Sequence, residues 1–161
     1  MIAATLDTPI GGLLLLGDGS VVHEIRFAGE PAPDGAEHDD AAFAEARDQL
    51  AEYFAGERTE LDFPLAAAGT PFQRRVWEEL RRIPYGEAIT YAELARRIGR
   101  PTAVRAVGHA NGRNPLPVVV PCHRVVGSDG TLTGYGGGLE RKRALLELEA
   151  ATSRRVAAPR S

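Results

Sequence analysis

This chain of 161 residues predicts an α+β fold in two parts, and three observations carry the expectation. Two apolar runs flank an Asp-Gly turn near the N-terminus, amphipathic stretches with cap and stop residues follow, and the charge changes sharply along the chain. Residues 1–68 hold 14 acidic and 3 basic side chains and residues 69–161 hold 8 and 16, balances of −11 and +8 behind a net charge of only −3. The expected organisation is a small acidic supporting domain over 1–68, a basic working domain over 69–150 and a loosely ordered tail over 151–161. A basic half fits a polyanionic partner, although a solvated arginine face would give the same charge. Hydrophobic residues make up 43%, enough to bury a core. The single cysteine leaves no partner for an intramolecular disulfide and no zinc-type cluster. The first residues lack the basic and apolar regions of a signal peptide, and no apolar run approaches the ~18 residues of a membrane span. A cytoplasmic globular protein without membrane association is expected.

The elements follow in order. Ile10 to Phe27 reads as a β-hairpin around Asp18-Gly19. After a loop rich in Pro, Gly and Asp, Ala41 to Phe54 places Phe43, Ala46, Leu50 and Phe54 at helical spacing, stopped by Gly56. Thr70-Pro71 opens a second helix, with Phe72, Val76, Leu80 and Ile83 as its apolar stripe and Pro84 and Gly86 beyond it; Trp77 reads as core. Thr90-Tyr91-Ala92-Glu93 makes a capping box before Leu94 to Ile98, and Gly99 stops that helix. A further helix begins near Thr102 and runs to Gly112. Two short helices around a Gly-containing turn match a helix-turn-helix. The second is built mostly of small residues, as a helix must be to enter a groove only ~6 Å wide, with Arg105 alone and long near its middle. Close packing on a neighbouring helix would also explain the small residues.

Asn114-Pro115-Leu116-Pro117 breaks the chain, and Val118-Val119-Val120 is a short buried run stopped by Pro121. Cys122 therefore sits on a turn at the edge of a core. A free thiol is mostly un-ionised at neutral pH, so a nucleophilic role needs a nearby base or cation, and His123 and Arg124 are the nearest. Neighbours on an extended strand point to opposite faces, so His123 assists only if the chain turns or a water intervenes. The alternative is a small buried hydrophobe.

Pro-Cys-His-Arg-Val at 121–125, preceded by Arg-Ala-Val-Gly at 105–108 and Asn114-Pro115 and followed by Thr133-Gly134-Tyr135-Gly136-Gly137-Gly138-Leu139, closely resembles the O6-alkylguanine-DNA alkyltransferases, or methylated-DNA-protein-cysteine methyltransferases. The match is ordered across residues 70–150. The weaker leading part is similar to that family's ribonuclease H-like N-terminal domain. The resemblance implies that Cys122 accepts the alkyl group, with His123 as its base through water and Glu149 orienting His123. It implies that Tyr91 bonds the guanine ring and supplies a proton, that Asn114 is a hinge, and that Arg105 fills the gap left by a flipped nucleotide. Val125, Tyr135 and Gly136 would line the base pocket. DNA contacts are expected from Arg105, Ala106, Asn111, Arg124, Arg74, Arg100 and Ser128. Without the resemblance Glu149 would read as a solvated helix carboxylate.

The implied activity is repair by single-turnover, irreversible transfer of an alkyl group from guanine O6, with thymine O4 a further substrate, onto Cys122. No cofactor or metal is expected, and the zinc ligands of some family members are absent. The partner is double-stranded DNA carrying O6-alkylguanine, bound by a monomer, with cooperativity on DNA left open. A cysteine hydrolase and a non-enzymatic DNA-binding regulator are the rival readings.

Overall fold

The computed structural model describes residues 1–157 except Thr133 and Gly136, with Ala157 as backbone alone. These residues pack as two compact units: Met1–Ala68 with Pro115–Val119, and Gly69–Asn114 with the chain from Val120 onward. The expected working domain included Pro115–Val119. The Ile25 amide donates to the Pro115 carbonyl (2.9 Å), which places this short segment with the first unit instead.

The first unit is a sheet and a helix. Strands β1 (Ile2–Leu6), β2 (Leu13–Gly17), β3 (Val22–Phe27) and β4 (Glu37–His38) run in the order β3-β2-β1-β4, antiparallel except for β4 beside β1. The expected hairpin is β2–β3, with Leu13 opposite Phe27 and Leu15 opposite Ile25. Asp18 closes its turn by accepting from the Ser20 and Val21 amides (2.9 and 2.7 Å), while Gly19 takes φ +103°. Strand β1 has no counterpart in the sequence reading, because Ile-Ala-Ala-Thr-Leu carries little strand propensity and is extended by pairing with β2. Helix α1 (Ala44–Phe54) starts three residues later than expected, since Phe43 occupies the cap position with a left-handed backbone. Its Ala46, Leu50, Tyr53 and Phe54 are buried with Leu13, Leu15, Leu16, Ile25 and Phe27.

The second unit is mainly helical. Helix α2 (Pro71–Leu80) has a complete capping box, Thr70 Oγ1 accepting from the Gln73 amide and Gln73 Oε1 from the Thr70 amide. Val76, Leu80 and Ile83 are buried, and Trp77 is core, its indole N–H donating to the Ala110 carbonyl (2.9 Å). Helix α3 (Tyr91–Arg97) is capped by Thr90, and Glu93 turns its carboxylate to Arg96 and Arg97. Helix α4 (Val104–Gly112) begins two residues after the expected start, because the Ala103 amide closes a turn onto the Arg100 carbonyl. Strands β5 (Ile89–Thr90) and β6 (Val125–Val126) pair in parallel. Helix α5 (Leu139–Ala157) continues through the region expected to be a loose tail; Thr152 is buried and ties it down, and residues 158–161 lie outside the described residues. Among the described residues no helix is long and apolar enough to cross a membrane.

Candidate active site

The chain does turn at the thiol. Pro121 ends the valine run, and Cys122–Arg124 form one turn of 3₁₀ helix, with the Arg124 amide on the Pro121 carbonyl and the Val125 amide on the Cys122 carbonyl. Pairing of Ile89 with Val125 and Thr90 with Val126 then fixes this turn beside the start of α3, the position of Tyr91. Asn114 Nδ2 donates to the Val120 carbonyl (2.8 Å), bracing the approach to the turn from the end of α4.

Behind the turn lies α5. Its inward face carries Lys142, Leu145, Glu149 and Thr152, all buried. Glu149 is 1% exposed, so it is not a solvated carboxylate. His123 Nε2 donates to Glu149 Oε2 (2.7 Å), Arg124 Nε and Nη2 donate to its two oxygens (2.8 and 2.9 Å), and the Gly86 amide reaches Oε1 (3.2 Å). Burial alone would push this carboxyl up. The bonds from His123 and Arg124 outweigh it and bring it down to about 2. Because an ionised carboxylate can only accept, Nε2 carries the imidazole proton and Nδ1 carries the lone pair. That Nδ1 is buried without a partner among the described residues. Burial also holds His123 below its usual range, so the imidazole is a neutral base at neutral pH.

The thiol is 5% exposed, and burial pushes it up to about 11, opposed by a hydrogen bond from Asn114 and the charge of Lys142. Lys142 is fully buried, lowered by that burial, and lies over the Tyr91 ring (5.8 Å). At rest the site therefore holds a neutral thiol, a neutral base and a nearby cation. It can release a proton from sulfur when an electrophile arrives. Lys142 is absent from the sequence reading, although its spacing of seven residues from Glu149, on the stripe that includes Leu145, is the signal that could have found it.

In front of the turn, Tyr91, Val104, Arg105, Gly108, Gly112 and Tyr135 help line an open cleft of about 740 Å³. Two of the small residues of α4, Gly108 and Gly112, thus face the cleft, and a Cβ on Gly108 would touch the Tyr91 ring. Arg105 also lines a second groove of about 680 Å³ with Phe72, Gln73 and His109, so it stands on the ridge between the two. Ala106, Arg74, Arg100 and Ser128 are exposed, Arg100 lying over the Phe72 ring (5.9 Å). Val125 is buried. Gly136 lies outside the described residues. Two expected DNA contacts need correction. Arg124 is committed to Glu149 and the Ile83 carbonyl (2.7 Å), and Asn111 is 2% exposed on the inner face of α4. Both polar groups point inward because the turn and α5 require them there. Among the described residues no group of His, Cys, Asp and Glu is arranged to hold a metal.

Gly86 has φ +80°, and a Cβ there would press into Ser153 on α5. Gly86→Ala is expected to cost about 1–2 kcal/mol, as a left-handed backbone does for an L side chain. Thermal melting checks this, and a variant that melts with the wild type contradicts it.

The model of the 6-O-methylguanine DNA methyltransferase ribonuclease-like domain matches residues 1–67, and that of the same family's DNA-binding domain matches residues 71–151. The methylated-DNA–protein-cysteine methyltransferase of Mycobacterium tuberculosis is 55% identical over 148 residues, 90% of each chain, and the constitutive enzyme of that name from Bacillus subtilis is 46% identical over 90% of this chain and 93% of its own. The crystal structure of Mycobacterium tuberculosis OGT in complex with DNA superposes with a TM-score of 0.90 at 53% identity, covering 94% of each chain. With both domain models matched and relatives this similar along most of its length, the chain belongs to the 6-O-methylguanine DNA methyltransferase family.

Proposed function

We propose that this protein repairs DNA by taking the alkyl group of O6-alkylguanine onto Cys122, once per molecule. The observation that carries the reading is the buried thiol on a 3₁₀ turn next to His123, whose other nitrogen is held by Glu149. Close relatives carry the same activity in their names, and neither a hydrolase nor a non-enzymatic regulator is favoured.

The thiol proton passes through a water to His123 Nδ1, and Glu149 stabilises the imidazolium that forms. The sulfur attacks the alkyl carbon, the bond from that carbon to O6 breaks, and the guanine takes a proton from Tyr91 as it leaves. Lys142 supports the thiolate during the attack. The thioether product has no hydrolytic exit like that of a thioester, so the protein is consumed. No cofactor takes part. Thymine O4 presents the same kind of alkyl ether and is a second substrate of this chemistry.

The reactive oxygen lies inside the base stack, so the nucleotide must be extruded. The cleft beside α4 receives the base, between Tyr91 and Tyr135, with the Val125 backbone at its wall. Arg105 enters the stack in its place from the ridge of α4. Ala106 approaches the groove, and Arg74, Arg100 and Ser128 contact phosphates. Asn114 hinges the helix against the turn. The protein works as a cytoplasmic monomer on double-stranded DNA, with the basic 69–150 region as the working domain and 1–68 as its support.

Arg105→Ala is expected to slow repair of a duplex by roughly 10- to 100-fold, because unstacking and unpairing cost a few kcal/mol, and to change reaction with free O6-benzylguanine little. Equal losses on the two substrates would show that Arg105 supports the fold instead. The reaction itself is tested by titrating a fixed amount of protein with O6-methylguanine duplex. Repair should stop at one lesion per molecule, and continued turnover would refute the suicide mechanism.

A further inference from the structure

Asn111 has no part in the mechanism above, yet it is placed against the nucleophile. It lies on the buried face of α4, and its Nδ2 donates to the Cys122 carbonyl (3.4 Å). Its Oδ1 is buried and has no partner among the described residues, and the same is true of His123 Nδ1. Buried polar atoms are nearly always satisfied, by protein or by ordered water. Here two unsatisfied acceptors flank a single peptide, Cys122–His123. A water molecule has two O–H donors and can accept besides, which is what a relay from the thiol needs. If one O–H is taken by Asn111 Oδ1, the other is left for His123 Nδ1 and a lone pair for the thiol proton.

We infer that Asn111 is a positioning residue for alkyl transfer, its amide holding the Cys122 carbonyl and its Oδ1 orienting the water that carries the thiol proton to His123. This rests on the proposed alkyl-transfer reading. The step balances: the S–H bond breaks, its proton joins the water oxygen, and a water proton moves to Nδ1, with no oxidant or reductant involved. The ionisable groups around the thiol are His123 and Arg124 on its own turn, Lys142 and Glu149 on α5, and Tyr135 before α5. Asn111 bears no charge, so its removal changes the path of the proton without adding another titrating group.

The test compares wild type, Asn111→Leu and Asn111→Asp in reaction with free O6-benzylguanine, at about pH 7 and at about pH 10.5, close to the thiol's own value of about 11, where hydroxide generates thiolate without a relay. General-base assistance contributes roughly 100-fold or more, and its partial loss in Asn111→Leu is expected to slow the reaction about tenfold near pH 7. The gap should close near the upper pH, and binding of undamaged duplex should be unchanged. Equal losses at both pH values, a parallel loss of duplex binding, or no loss at all would overturn the inference. Should the leucine variant not fold, Asn111→Asp keeps the volume and an acceptor oxygen while placing a negative charge beside the thiol. Its rate profile must then move to higher pH, and an unmoved profile overturns the inference equally. Failure of the wild type to take up the benzyl group would instead refute the alkyl-transfer reading, and is read separately.

Discussion

Replacing Cys122 by serine is expected to abolish alkyl transfer while leaving affinity for a duplex within about twofold of wild type, since contacts to phosphates position a DNA-binding protein and these lie elsewhere. A hydroxyl is nearly isosteric with the thiol here but is a far weaker nucleophile, and one neutral imidazole cannot ionise it appreciably. The site is tuned for sulfur. Burial holds the thiol at about 11, so the resting cysteine is protected from adventitious electrophiles, and the proton is lost only when a base on the turn can take it. Repair assays with O6-methylguanine duplex, run beside a binding titration at one fixed salt concentration, measure both quantities. Residual transfer by Cys122→Ser comparable with wild type would place the acceptor elsewhere.

The second large effect is at Glu149. Glu149→Leu is expected to destabilise the protein by about 3–5 kcal/mol, because removing one partner of a buried ion pair leaves an uncompensated charge. The charge in question is the guanidinium of Arg124, which also bonds the Ile83 carbonyl and lies over the Tyr85 ring (5.6 Å). Glu149→Gln keeps the shape and some of the bonds, so it should fold better and react slowly with residual activity. The pH dependence has a definite sign. Glu149 titrates at about 2 in the folded chain against an ordinary 4.5, so the stability it contributes is complete above about pH 4.5 and is lost as the pH falls toward 2. His123 is also held below its ordinary 6.5, so its contribution is lost as the pH falls below that value. Denaturant midpoints should therefore decline from about pH 6.5 downward in wild type, and the segment below pH 4.5 should flatten in Glu149→Gln. A wild-type midpoint that is constant from pH 6.5 to 3 contradicts the buried network.

How much of this was legible in the sequence depended on whether a residue's role was local. The β2–β3 hairpin, the helix caps at Thr70 and Thr90 and the helix stops at Gly56 and Gly99 are set by residues acting on their own backbone, and the reading places them within a few residues, although Glu93 turns to Arg96 and Arg97 and does not complete the expected capping box. Strand β1 was not legible, because alanine-rich segments become strands only through a partner such as β2. The turn at Cys122 was foreseen from Pro121, but the left-handed backbone of Val118 (φ 76°) was not, since a β-branched residue there is strained and is held only by its buried surroundings. The Glu149 cluster joins residues 25 apart, and residues 86 and 149 are further apart still; such contacts leave no pattern in one sequence. The motif nevertheless pointed to Glu149. It misdirected the reading at Arg124 and Asn111, where a basic or amide side chain in a DNA-binding motif was taken for a DNA contact although the folded chain needs both inside.

The central claim is that Cys122 is the atom-for-atom destination of the alkyl group, and intact-protein mass measurement tests it most directly. After incubation with a duplex carrying O6-methylguanine, the protein should gain the mass of one methyl group in place of one hydrogen, and fragmentation should locate it on the peptide containing Cys122. An unchanged mass after complete repair, or a methyl group found on any other residue, would contradict the account.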